Sequence, residues 1–179
     1  MAKTYVIDTN VLIQAPYALF CFEENQVVLP LAVLEELDGL KKAEGERGAN
    51  AREAIRHLEK LRLKGNLLAG VALEKGGMVR VEANCVDQVL PKSLPEDKMD
   101  NRILKVCLGI REKLGKEPVI LVTKDIVLRL KAQMLGIPAE DFSREQVPGQ
   151  TDQYTGRKIC YVPEELFKEF KKKGVPVSA

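Results

Sequence analysis

Apolar residues fall into short β-type runs that alternate with stretches of helical spacing. Tyr5, Val6 and Ile7 make the first run, which ends at Asp8, Thr9 and Asn10 before Val11, Leu12 and Ile13 resume. A buried strand leading into a helix follows, because Asp, Thr and Asn side chains accept bonds from the unpaired amides of a helix start. From Val11 to Phe22 the chain stays apolar around Pro16, which divides it into two short helical pieces. Gln26 to Pro30 reads as a second buried strand. In the LAVLEELDGLKK stretch after it, Val33, Leu34, Leu37 and Leu40 mark one face of a helix. At about 100° per residue Glu36 falls on the border of that stripe, able to reach inward, while Glu35 points toward water.

Residues 41 to 50, KKAEGERGAN, are charged, hold two glycines and read as a mobile loop. Asn50 with Glu53 then resembles a capping box that opens a helix faced by Ala51, Ala54, Ile55, Leu58 and Leu61 and ended by Gly65. Val71 to Leu73 and Met78 to Val81 can pair as a hairpin whose second limb is a sheet edge. Ile103, Cys107, Ile110 and Leu114 space out another helix, and Asp100 projects onto the same stripe one turn upstream. Val119 to Thr123 is the cleanest buried strand and, like the first, it runs into an aspartate, Asp125. Val127, Leu130 and Met134 mark the apolar face of the next helix. Beyond Phe142 the pattern weakens, then KICYV predicts a short strand and Pro163 to Lys173 a terminal helix.

Strands alternating with helices imply a mostly parallel α/β sheet with right-handed crossovers. With 179 residues, 45% of them hydrophobic and 30% charged, the chain has material for one sizeable core. No apolar run approaches the roughly 20 residues of a membrane span, and the N-terminus lacks a signal-peptide core, so a cytoplasmic location is expected. Cys21, Cys85, Cys107 and Cys160 form no CxxC pair. His57, the only histidine, lies in a basic helical stretch and reads as a solvated face residue. These two facts disfavour zinc and histidine-based nucleophilic catalysis.

What remains is carboxylate chemistry. In parallel sheets ligands bind beyond the carboxyl ends of the strands, where the strand order reverses. Asp8 and Asp125 both stand at such ends; if their strands are neighbours the two converge, and Glu36 and Asp100 can enter from flanking helices. Unpaired acids brought together repel and raise one another's pKa, which a hard divalent cation, Mg²⁺ or Mn²⁺, relieves. Carboxylate-held cations with open positions suit phosphodiester hydrolysis. Asn10 and Thr123 are placed to orient the aspartates through hydrogen bonds. The net charge of +2 is too small to demand a nucleic-acid partner, but Lys41, Lys42, Arg47 and Arg52 make a local basic stretch, and Arg102 and Arg129 extend it. Interleaved glutamates make a solvated, salt-bridged surface the competing reading.

Four segments, VIDTNVLI (Val6 to Ile13), LPLAVLEEL (Leu29 to Leu37), DNRILKV (Asp100 to Val106) and VTKDIVLRLKA (Val122 to Ala132), together resemble the PIN domain, a metal-dependent ribonuclease fold. The resemblance implies a three-layer α/β/α architecture over residues 1–145, with 146–179 as a C-terminal extension. It also implies acidic ligands at Asp8, Glu36, Asp100 and Asp125 for Mg²⁺ or Mn²⁺, and single-stranded RNA as substrate. LEELDGLKK and the DQYTG segment at Asp152 to Gly156 look like the PIN domains that precede PhoH-type ATPase domains. With no GxxxxGK[ST] loop, no ATPase activity is expected in this chain itself. PIN domains often pair, so a homodimer is a further expectation. Two readings compete: a binding module that grips RNA or protein and cuts poorly, and a phosphatase of the haloacid dehalogenase type. The latter needs a second aspartate two places after the first, where this chain has Asn10.

Overall fold

Val6 and Ile7, Val27 to Leu29 and Leu121 are inaccessible to solvent because the runs that carry them are the middle of one sheet. The computed structural model describes residues 2–142. Its strands are Thr4–Ile7 (β1), Gln26–Pro30 (β2), Val71–Ala72 (β3), Met78–Glu82 (β4), Val119–Val122 (β5) and Ala139–Glu140 (β6). They lie in the order β3-β4-β2-β1-β5-β6, parallel throughout except for β3 against β4. The helices are Thr9–Gln14 (α1), Leu31–Leu40 (α2), Gly45–Lys64 (α3), Met99–Leu114 (α4) and Ile126–Met134 (α5).

From β1 the chain builds outward through β2 to β4, then returns to lay β5 on the other side of β1. The order therefore reverses between β1 and β5, where a parallel sheet opens a crevice at its carboxyl edge. Ile7 is in register with Val122, so Asp8 and Thr123 follow side by side. The expected mostly parallel α/β sheet flanked by helices is present.

Several local expectations are corrected. Helix α3 begins at Gly45, not at Asn50, and its N-cap is Glu44. The Asn50 amide caps nothing: it donates to the Ile13 carbonyl at 2.7 Å and ties α3 to α1. Gly48 is buried in a close approach, since a Cβ there would stand 1.8 Å from the Ala43 carbonyl oxygen. Its smallness serves packing rather than mobility.

The hairpin forms, but β3 is its edge limb, and β4 pairs with β2 inside the sheet. Strand β6 had no sequence signal. On α5, Leu128 and Ala132 are buried while Val127, Leu130 and Met134 are more than half exposed, so the buried face is the other one. His57 is half-buried rather than solvated, edge-on to Phe20 with ring centres 5.2 Å apart, and burial holds its pKa down. The strand and helix expected after residue 157 lie outside the described residues.

Candidate active site

Because β1 and β5 end together, the first residues beyond them form one hydrogen-bonded cluster. The Thr123 hydroxyl donates to Asp8 Oδ2 at 2.7 Å, and the Asp125 amide donates to Thr123 Oγ1 at 3.0 Å. Asn10 closes the link from the other chain segment: its Nδ2 donates to Thr123 Oγ1 at 3.3 Å and its Oδ1 accepts from the Lys124 amide at 3.1 Å. Thr123 is fully buried, so each of these partners also satisfies a group that water does not reach. Asn10 and Thr123, expected from the sequence to orient the aspartates, thus sit in one hydrogen-bonded cluster with Asp8 and the Asp125 amide.

Asp8 is 5% exposed. Burial pushes its carboxyl from 3.8 up to about 6; the bonds from the Thr123 hydroxyl and the Thr9 amide pull it down, and the charges of Asp100 and Glu36 push it up again. Two acids far away in sequence therefore act on it through space. A cleft of about 760 Å³ is lined by Asp8, Glu36, Asp100 and Asp125 together, with Arg47, Asn50 and Lys124 among the other wall residues. The tertiary structure brings all four predicted acids to one cavity. The helical-face choice also holds, since Glu35 lies outside the cleft and pairs with Arg102 at 3.2 Å.

Within this cavity Asp125 and Asp100 are each engaged by a separate partner. Asp125 Oδ1 accepts from the amides of Val127 and Leu128 at 2.7 and 3.4 Å and thereby caps α5. Asp100 Oδ2 lies 3.5 Å from Lys131 Nζ. Among the described residues, no three Asp, Glu, His or Cys side chains stand close enough to hold one ion jointly. In donor chemistry the residues fit a hard cation: all-oxygen ligands around a buried carboxylate whose neighbours raise its pKa.

The expected basic track divides. Arg47 lines the cleft. Lys42 is exposed nearby, and Lys41 is paired with Asp38. Arg52 donates to the carbonyls of Lys41 and Ala43 at 2.8 and 3.4 Å, closing the end of α2 rather than facing the cavity. Arg102 is taken by Glu35, and Arg129 borders a separate hollow beside α5. Sequence reasoning did not single out Thr9, Lys124 or Lys131. The Thr9 hydroxyl is buried at the cleft without a partner, and only the VTKD context of Lys124 carried a signal.

Comparison with known proteins agrees with this architecture. Residues 5–143 match the family model described as PIN domain. Protein PhoH2 of Bacillus subtilis (strain 168) is 44% identical over 175 residues, which are 95% of this chain and 40% of that protein. Protein PhoH2 of Mycolicibacterium smegmatis is 40% identical over 148 residues, 81% of this chain and 33% of that one. The chain thus spans well under half the length of these curated relatives. In fold alone, it is similar to a domain of a functionally unknown protein from Methanocaldococcus jannaschii DSM 2661, with TM-score 0.52, 22% identity, and coverage of 79% of this chain and 92% of that one. The family match runs from β1 past β6 and takes in every strand and helix that frames the acidic cleft, so the chain belongs to the PIN domain family.

Proposed function

We propose that the chain is a divalent-metal-dependent ribonuclease that hydrolyses RNA phosphodiester bonds at the Asp8, Glu36, Asp100 and Asp125 cleft. The observation that carries this reading is Asp8: a carboxylate buried at the sheet's switch point, raised to about 6, with Asp100 and Glu36 adding negative potential. PIN domains are generally nucleases, and a desolvated acidic basin is costly to keep unless a cation is meant to enter it.

Asp8, Glu36, Asp100 and Asp125 line one cleft and would hold Mg²⁺ or Mn²⁺ once their side chains turn toward a common point, since as they stand no three of them meet. When bound, such a cation supplies Lewis-acid charge for a phosphoryl oxygen and acidifies a water. Thr123 keeps Asp8 oriented through its 2.7 Å bond, and Asn10 keeps Thr123 in place. Arg47, on the cleft wall, meets the RNA backbone. Single-stranded RNA is the proposed substrate, because an extended strand can lay its phosphates along an open cleft. Given the length of its relatives, we assign the chain to the PIN part of a longer PhoH-type RNA-processing ATPase.

The test is cleavage of labelled single-stranded RNA by metal-stripped protein with added Mn²⁺, beside Asp8→Asn. Equal product from both would sink the reading. One observation favours a second reading, a weakly catalytic RNA- or protein-binding module: Asp100 is ion-paired and Asp125 is committed to a helix cap. That reading predicts RNA binding with no Mn²⁺-dependent rise in melting temperature.

A further inference from the structure

Among the described residues, Asp100 is the one member of the four acids that forms an ion pair, and its partner comes from a different helix. Lys131 Nζ reaches Asp100 Oδ2 at 3.5 Å across from α5 to α4, with its side chain only 17% exposed. The backbone that carries it is anchored, since Leu128 and Ala132 on either side of it along α5 are inaccessible to solvent. Lys124, which lines the cleft itself, is engaged elsewhere: its Nζ donates to Asp141 at 2.9 Å and to the Phe142 carbonyl at 2.8 Å. Lys131 is therefore a cation seated at an acid that the proposed chemistry needs for another cation.

We propose that Lys131 is a positioning residue, an internal counter-ion that holds Asp100 while the cleft lacks a divalent cation and is displaced when one binds. This rests on the metal-dependent reading above. An ammonium and a dication drawn to one carboxylate repel each other, so each weakens the other's hold on Asp100, although its partial exposure screens part of that repulsion. Pairing and cation binding are thus coupled with opposite sign, and the coupling is reciprocal. The device offsets part of the repulsion that Asp100 still exerts on Asp8 in the empty cleft, and it raises the cation concentration at which the cleft fills.

The experiment is direct Mn²⁺ binding to the metal-stripped full chain, read by calorimetry and by loss of the free-ion paramagnetic resonance signal, with no RNA present. Lys131→Met should tighten Mn²⁺ binding about tenfold, in the usual range for coupled sites. Lys131→Arg keeps the pair and should bind within about twofold of wild type. Lys124→Met tests mere loss of positive charge and should give less than half of the Lys131→Met gain on a logarithmic scale. In an Asp100→Asn background, Lys131→Met should have no effect, because the partner is already neutral. Unchanged or weaker binding by Lys131→Met, or an equal gain from Lys124→Met, overturns the counter-ion role and leaves the ribonuclease reading standing. Absence of Mn²⁺ binding by all variants at millimolar concentration removes the metal-dependent reading and the role of Lys131 with it.

Discussion

Asp8 and Asp125 end neighbouring strands, precede helices and look alike in sequence, yet the fold treats them differently. Asp8 is buried, and its carboxyl is shared between the Thr123 hydroxyl and the Thr9 amide while other acids face it. Asp125 is less buried and spends one oxygen on the first turn of α5. The difference follows from position: β1 lies between β2 and β5, whereas β5 borders the two-residue edge strand β6. One aspartate is a buried carboxylate under repulsion from other acids; the other caps its helix and lines the same cleft.

The largest effect that would break this contrast is on catalysis. On the proposed reading, Asp8→Asn should lower Mn²⁺-dependent RNA cleavage about a hundredfold or more, since it removes the buried carboxylate proposed to hold the cation. In a chelator the same variant should gain stability. The folded value of Asp8, about 6, lies above the 3.8 of an exposed aspartate. As pH rises the unfolded chain releases this proton first, so ionisation costs the native state stability between about pH 4 and 6 and by a constant amount above. Asp8→Asn should therefore be about 3 kcal/mol more stable than wild type at pH 7, with the gap closing at acid pH. Urea titrations at both ends of that range measure it, and a gap independent of pH contradicts the burial of this charge.

Next in size, Thr123→Val deprives Asp8 of a donor and strands Asn10 Nδ2 and the Asp125 amide. It should cost about 2 kcal/mol and move the Asp8 titration further above its present value, as followed by carboxyl NMR. At the other strand end, Asp125→Ala should cost about 1 kcal/mol by losing the α5 cap, and Asp125→Asn should recover most of it while still weakening cleavage. A full recovery of both would make Asp125 a cap only. The smallest effects separate fold from ligand on the rim. Arg52→Ala should cost about 1 kcal/mol with RNA affinity intact, whereas Arg47→Ala should leave stability within about 0.5 kcal/mol and reduce the salt dependence of RNA binding by about one unit.

Legibility from the sequence tracked how strongly one interaction dominated each segment. The strands β1, β2 and β5 were readable because both their faces are buried, leaving continuous apolar runs. The Glu36 side chain was readable because a helix period separates adjacent residues by a wide angle, and Glu35 duly pairs with Arg102 outside the cleft. Helix α5 was misread for a physical reason: in IVLRLKAQM apolar residues surround the axis, so periodicity offers two faces and packing selects Leu128 and Ala132. The start of α3 was missed because two glycines signal a loop, although one of them is there to let the Ala43 carbonyl approach. Strand β6 is two residues long and exists only because β5 offers it an edge.

By itself the amino-acid order determined the alternation of buried strands with helices, and with it a parallel sheet carrying aspartates at two strand ends. It determined this because burial on both faces and helical spacing each leave a periodic trace along the chain. Only the tertiary structure decided that β1 and β5 are neighbours, that Thr123 bonds to Asp8, that burial raises the Asp8 carboxyl well above its usual range, and that Lys131 meets Asp100. Those are contacts between segments distant in sequence, set by strand order and by water excluded from one crevice, and no local pattern records them.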